Sequence, residues 1–139
     1  MANINNIQDE IIKEMSQLKK GMGKYLYLIN LAKQLTPFKP ELKTENNLIK
    51  GCQSRVWLAS ELKNGRMHYF ADSDTAITKG VVALLLKILN NQSPQAICNA
   101  DLYFIKKTDL ESELSPIRAN GLLSALEEIK NKARQYRRK

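Results

Sequence analysis

Apolar residues recur every three or four positions near both ends of the chain, which is the spacing of a helix with one buried face. In the first predicted helix these positions are Ile4, Ile7, Ile11, Met15 and Leu18. Gly21 and Gly23 follow and predict the end of this helix. A second helix is predicted from Tyr25 until the chain approaches Pro37, and residues 36–47 form a polar loop.

Two β-strands are predicted in the middle of the chain, over residues 53–62 and 66–71. They flank Asn64-Gly65, the pair that most strongly favours a two-residue hairpin turn. Residues 75–91 then predict a helix that is apolar on almost every side, and such a helix lies at the centre of a fold. Asp72 and Asp74 are expected to cap its N-terminus.

Two Ser-Pro pairs mark further helix starts, because the serine hydroxyl caps and the proline suits the first turn. Ser93-Pro94 predicts a short helix, and Ser115-Pro116 predicts a C-terminal helix in which Gly121 allows a close approach. Residues 100–105 predict a third strand between them. The pattern indicates an α+β fold, a small antiparallel sheet of about three strands packed by helices, in one domain over residues 1–139.

The composition is that of an ordinary globular protein, with 43% hydrophobic and 26% charged residues among 139. The longest apolar run, residues 81–86, is far too short to span a bilayer. The N-terminal residues lack the basic and apolar regions of a secretory signal. Two distant cysteines do not predict a disulfide framework. We therefore expect a cytoplasmic protein with free thiols and no membrane association.

The net charge of +8 is uneven along the chain. Residues 130–139 carry six of its 22 lysines and arginines and no acid. Cations at a helix C-terminus complement the helix dipole, so a solvated helix end explains them. Since no aromatic residues alternate with these cations and no zinc-ligand pattern accompanies them, we do not expect nucleic-acid binding.

Cys52 is the strongest candidate for chemistry. It follows Gly51, whose conformational freedom suits a sharp turn before the first strand. Lys50 and Arg55 lie beside it, and nearby cations stabilise the thiolate that attacks electrophilic sulfur or carbon. The residues alone leave an inert, buried Cys52 open as an alternative. Cys98 has apolar neighbours and is interpreted as a small core residue.

Other candidates have simpler explanations. His68, the only histidine, is expected opposite Ser60 in the hairpin, too far from Cys52 for a dyad. No pattern of cysteine and histidine predicts a metal site, and no cofactor is predicted. Arg118 stands in the first turn of the C-terminal helix, where the dipole disfavours a cation. It is either a contact for a partner's carboxylate or a solvated side chain.

Three motifs in order make the chain similar to the SufE family, the sulfur-acceptor proteins of cysteine desulfurases. GCQSRVW at residues 51–57 resembles the family's cysteine signature. DSD at 72–74, with AI at 76–77 and KG at 79–80, resembles a second motif. SPxR at 115–118, with GL at 121–122, resembles a third. The likeness covers nearly the whole chain.

This resemblance implies a fold of the sandwich type that SufE proteins share with NifU/IscU scaffolds. It implies that Cys52 accepts persulfide sulfur from a SufS-type desulfurase, stimulates that enzyme, and passes the sulfur to an iron–sulfur scaffold complex. Pyridoxal phosphate would belong to the desulfurase. The residues that would contact or support the partner surface are Gly51, Gln53, Arg55, Asp72, Ser73, Asp74 and Arg118.

Several alternatives remain open at this point. The chain could activate the desulfurase allosterically, with no covalent role for Cys52, or it could be a thiol peroxidase that needs no partner. A paralogue serving tRNA or cofactor thiolation would show the same pattern. Arg55 stands where the family more often has glutamine, which could change the desulfurase accepted. The sequence does not distinguish a monomer from a homodimer.

Overall fold

The computed structural model describes residues 3–18 and 22–137. Seven α-helices, two short 3-10 turns and two β-strands make up this part of the chain. The elements are α1 (Ile4–Ser16), α2 (Met22–Gln34), the 3-10 turns Pro40–Leu42 and Glu45–Asn47, β1 (Val56–Lys63), β2 (Arg66–Ser73), α3 (Ala76–Leu89), α4 (Pro94–Asn99), α5 (Phe104–Lys107), α6 (Leu110–Glu113) and α7 (Pro116–Arg134). The α+β class predicted from the sequence is confirmed.

The hairpin of β1 and β2 forms as its turn residues predict. Asn64 and Gly65 both have positive φ, 53° and 76°, as a tight hairpin turn with the right-handed strand twist requires. The antiparallel register runs from Val56 opposite Ser73 to Lys63 opposite Arg66. His68 therefore pairs with Glu61, one position from the expected partner.

The outer edge of β2 is occupied by the segment after α3. The backbone N–H of Met67 donates to Gln92 O at 2.8 Å, and Asn91 N–H donates to Met67 O at 2.8 Å. The side-chain oxygen of Asn90 accepts from Tyr69 N–H at 2.8 Å. These bonds pair backbone groups at the edge of β2 that another strand would otherwise have paired.

The third strand predicted over residues 100–105 is wrong. Within the described residues the sheet has two strands, and α5 begins at Phe104. A buried side chain supplies the hydrogen bonds that a strand partner would have supplied. Gln8 Nε2 donates to Asp101 O at 3.0 Å, and Gln8 Oε1 accepts from Phe104 N–H at 3.0 Å. Gln8 is fully buried, so α1 fixes this segment in an irregular path.

Helix α3 lies at the centre of the fold, as its apolar sequence predicts. Nine of its 14 residues are buried, from Gly80 to Leu89. Gly80 packs directly on α2: a Cβ there would overlap the carbonyl oxygen of Leu28 and lie 2.6 Å from its carbonyl carbon. The two helix backbones can approach this closely only because position 80 carries no side chain.

The helix starts agree with the sequence at two places and differ at a third. Ser93 Oγ accepts from Ala96 N–H and Ser115 Oγ from Arg118 N–H, which confirms both Ser-Pro caps. The N-cap of α3 is Thr75, which makes no side-chain capping bond. Asp72 and Asp74, expected to cap α3, bind other partners described below.

Two further expectations concern the chain ends and the first helix break. Gly23 lies inside α2 and does not separate the helices, whereas Gly21 lies outside the described residues, as do the last two residues of the basic tail.

Cys98 is partly buried and packs against the core, as expected. Among the described residues no helix is both long and apolar enough to cross a membrane.

Candidate functional site

The turn that carries Cys52 depends on glycine at position 51. Gly51 has φ +90°, a region that L-residues rarely adopt. A Cβ on Gly51 would also lie 2.7 Å from Ser124 Oγ in α7. Ile49 N–H donates to Val56 O at 2.8 Å, and so closes the loop between them. The chain thus presents Cys52 on a tight loop held against α7.

The Cys52 thiol rests on the N-terminal half of α7. Its Sγ donates to the carbonyl oxygen of Gly121 over 3.7 Å, and the side chain is half-buried. Gly121 makes the approach expected of it, but the contact does not depend on glycine. A Cβ there would lie 3.7 Å from Sγ, an ordinary van der Waals separation. The Cys52 sulfur is therefore partly covered by α7.

A small cavity adjoins the thiol. Its volume is about 20 Å³, enough for one water-sized guest. The walls come from the Cys52 loop, from α3 and from α7. The lining residues are Cys52, Gln53, Ser54, Thr78, Val81, Val82, Ile117, Arg118, Gly121 and Leu122. The lining thus combines apolar residues with residues whose side chains carry hydroxyl, amide and guanidinium groups.

Burial raises the pKa of the Cys52 thiol above its ordinary value, because removing the sulfur from water disfavours the thiolate. The expectation that Lys50 and Arg55 activate the thiol is wrong for this conformation. Both side chains are exposed, where water and salt screen their charge. Burial therefore favours the neutral thiol over the thiolate in this conformation.

The loop after Cys52 is joined to the end of β2 by a clasp of three residues, Arg55, Ser73 and Asp74. Asp74 Oδ1 accepts from Arg55 N–H at 3.1 Å, and Asp74 N–H donates to Arg55 O at 3.3 Å. Ser73 Oγ donates to the same Arg55 oxygen at 2.7 Å. Ser73 and Asp74 thus support the cysteine loop through its backbone, and this is why Asp74 does not cap α3.

Asp72 serves a different segment. Its carboxylate lies 3.0 Å from Lys43 Nζ and 3.2 Å from Lys79 Nζ, and Lys43 Nζ stands 5.0 Å from the centre of the Trp57 ring. Burial alone would raise the pKa of Asp72, but hydrogen bonds from Lys43, Ser73 N–H and Lys79 lower it below its ordinary value. Asp72 thereby fastens the polar loop before Cys52 to α3.

The residues predicted to form the site fall into separate groups. Gln53 and Arg118 line the cavity beside Cys52, so a cation from the third motif does reach the cysteine loop. Ser73 and Asp74 act on the loop backbone, and Asp72 acts on the preceding segment. Within residues 3–18 and 22–137, no group of three His, Cys, Asp or Glu side chains could hold a metal ion.

The sequence did not point to the hydroxyl groups around the loop. Thr75 Oγ1 and Thr78 Oγ1 donate to Ser54 Oγ at 3.1 and 3.4 Å, and Ser124 lies against Gly51. The only local signal was the presence of small polar residues beside the cysteine. Their partners stand more than twenty positions away, so no short-range pattern could have paired them.

Comparison with known proteins decides the family. The family described as "SufE: Fe-S metabolism associated domain" matches residues 9–133. The chain belongs to the SufE family. The resemblance carried by the three sequence motifs is therefore confirmed, and with it the general association with iron–sulfur metabolism.

One relative and one solved structure extend the comparison for this SufE chain. SufE-like protein 1, chloroplastic/mitochondrial, from Arabidopsis thaliana is 37% identical over 125 residues, which cover 89% of this chain and 34% of that protein. The SufE chain thus spans about a third of that relative's length. The solution structure of a hypothetical protein from Thermus thermophilus superposes with a TM-score of 0.77 at 21% identity, covering 93% of this chain and 94% of the other. That likeness shows the shared fold.

Proposed function

We propose that this SufE chain is a cytoplasmic sulfur carrier. Cys52 accepts persulfide sulfur from a SufS-type cysteine desulfurase, which the chain thereby stimulates, and passes it to an iron–sulfur scaffold complex. The observation that carries the proposal is the setting of Cys52. It is a single thiol on a glycine-dependent turn, next to an atom-sized cavity, in a chain whose family is associated with iron–sulfur metabolism.

The transfer step is a thiol–disulfide exchange. The Cys52 thiolate attacks the outer sulfur of a persulfide on the desulfurase cysteine. A new S–S bond forms on Cys52 while the donor's S–S bond breaks, and its electron pair leaves on the donor sulfur as a thiolate. The proton that Cys52 released is available to the departing thiolate. No external oxidant or reductant is needed, since one sulfane sulfur moves between two thiols.

The resting geometry supports a requirement for a partner. At rest Cys52 is covered by α7, and its pKa is raised by burial, so the isolated chain holds a poor nucleophile. Docking of a desulfurase would lift the loop from Gly121 and place Cys52 in the partner's active site. Gln53 and Arg118, beside the cavity, are positioned to contact that partner. A covered thiol is also protected from oxidation between transfers.

The same observation supports one alternative. A neutral, half-buried Cys52 is compatible with a module that activates the desulfurase through surface contacts alone. In that case the loop would dock without sulfur passing to Cys52. The two functions predict opposite results when the thiol is removed and the fold is kept.

The test is stimulation of a SufS-type desulfurase, read as alanine released from L-cysteine. The carrier predicts that Cys52→Ser abolishes stimulation, while Cys98→Ser, a matched change at the other free cysteine, leaves it intact. Thermal unfolding of both variants checks the fold. Full stimulation by Cys52→Ser would reject the carrier and establish the allosteric module.

A further inference from the structure

Ser54, two residues after Cys52, lies between two hydroxyl groups of the α3 N-terminus. Its Oγ accepts from Thr75 Oγ1 at 3.1 Å and from Thr78 Oγ1 at 3.4 Å. A serine hydroxyl has two lone pairs and one hydrogen to donate. The threonines occupy both lone pairs. Within residues 3–18 and 22–137, the Ser54 hydrogen has no protein acceptor and is free for a guest.

Ser54 and Cys52 border the same cavity, together with Thr78. Because its volume of about 20 Å³ suits a guest of about one water molecule, a single atom held there lies close to both residues. The lining also includes Val81 and Val82 of α3, the helix that carries Thr78. A sulfur atom added to Cys52 and held there would have both hydrocarbon and the Ser54 hydroxyl among its neighbours.

We propose that Ser54 donates a hydrogen bond to the terminal sulfur of a Cys52 persulfide, and that Thr75 and Thr78 hold the Ser54 hydroxyl in the orientation for this bond. The inference rests on the proposed carrier function and assigns a site for its cargo. Thr75 and Thr78 are positioning residues that act through Ser54, to whose oxygen both hydroxyls donate; Thr78 also borders the cavity.

The physical reason is the charge of the persulfide. Its terminal sulfur ionises, and an anion that leaves water for a partly apolar cavity is destabilised unless a donor replaces the lost hydration. A hydrogen bond to the charged form favours it and lowers the pKa. Ser54 would therefore keep the sulfur anionic near neutral pH, the form in which it attacks an acceptor.

The experiment uses the full chain with Cys98→Ser, so that only Cys52 reports. Inorganic tetrasulfide loads the thiol, and the pH dependence of persulfide alkylation by iodoacetamide is followed by intact mass. We expect Ser54→Ala to raise the pH of half-maximal persulfide alkylation by about one unit. Below that pH the anionic fraction of the persulfide would then be about tenfold smaller. Thr78→Val should shift the half-maximal pH less in the same direction, and Thr78→Ser, which keeps the hydroxyl, should leave it unchanged.

Identical half-points for the parent and Ser54→Ala would overturn the inference, as would a parent chain that cannot be loaded at Cys52. An equal shift in Thr78→Ser and Thr78→Val would also overturn it, since packing and not the hydroxyl would then be responsible. Loading requires no desulfurase. Failure of sulfur transfer from the enzyme would therefore reject the carrier function separately from this measurement.

Discussion

The Cys52 thiol donates a hydrogen bond to the carbonyl oxygen of Gly121, with sulfur and oxygen 3.7 Å apart. This contact joins the first sequence motif to the third, 69 positions away. It places the Cys52 sulfur against α7, where burial favours the protonated thiol. If Cys52 carries sulfur as proposed, the loop would open from α7 before the thiol reacts.

The pH dependence of Cys52 alkylation should show the effect of its burial against α7. Because burial raises the pKa of the thiol, its half-maximal alkylation rate should occur at higher pH in the folded chain than in urea. The measurement is iodoacetamide alkylation of Cys98→Ser against pH. A half-point equal to or below that of the unfolded chain would contradict the burial argument.

The same shift affects stability at alkaline pH. A raised thiol pKa contributes stability that is fully present below the unfolded pKa and is lost as pH rises through the folded pKa. Cys52→Ser should therefore lose less stability than the parent chain above the ordinary thiol range, while the two show parallel pH profiles near neutrality. Urea unfolding across this range provides the comparison.

Loosening the clasp should open the cysteine loop. Asp74→Ala removes the acceptor for Arg55 N–H, which we expect to cost about 1 kcal/mol and to accelerate Cys52 alkylation several-fold. Asp74→Asn keeps a side-chain oxygen at this position and is the matched control. Should alanine and asparagine both alkylate at the parent rate, the clasp would have no role in covering the thiol.

Two helical glycines should respond oppositely to alanine. Gly80→Ala drives a methyl group into the α2 backbone at Leu28 and should destabilise the fold by about 3 kcal/mol. Gly121→Ala meets only Cys52 Sγ at an ordinary distance and should stabilise α7 by up to about 1 kcal/mol. Chemical denaturation measures both, and a tolerated Gly80→Ala would disprove the close helix contact.

Replacing Gln8 should lower the stability of the fold, because its side chain makes hydrogen bonds to both Asp101 and Phe104. Gln8→Ala leaves the buried Phe104 N–H without its acceptor, so we expect a loss of about 2 kcal/mol in the free energy of unfolding. Asn5→Ala, which removes only a 3.4 Å contact to Gln8 from an exposed residue, is the control. Faster hydrogen exchange at the Phe104 amide should accompany the loss. Equal stability of the two variants would show that the bridge is dispensable.

The parts of the fold set by neighbouring residues were predictable. Asn64-Gly65 specified the hairpin because the turn conformation is local, and Ser93 and Ser115 specified helix starts within three positions. Helix α3 was recognisable because burial on all sides leaves an uninterrupted apolar run. In each case the residues that decide the structure stand next to one another in the chain.

The sequence predictions that failed concern residues whose partners lie far away in the chain. Residues 100–105 look like a strand, but Gln8 supplies their hydrogen bonds from more than ninety positions away. Asp74 has a capping oxygen close to α3, yet Arg55 binds it from the loop before β1. The cations beside Cys52 suggested a thiolate, whereas burial raises the pKa of the thiol and favours its neutral form. Long-range partners decided each of these.

The most direct test of the carrier function is intact-protein mass spectrometry with peptide mapping. The chain is incubated with a SufS-type desulfurase and L-cysteine, beside Cys52→Ser and Cys98→Ser. The account predicts a reductant-sensitive gain of one or more sulfur atoms on the Cys52 peptide, retained in Cys98→Ser and absent from Cys52→Ser. Stimulation of the desulfurase with no sulfur on Cys52 would contradict it.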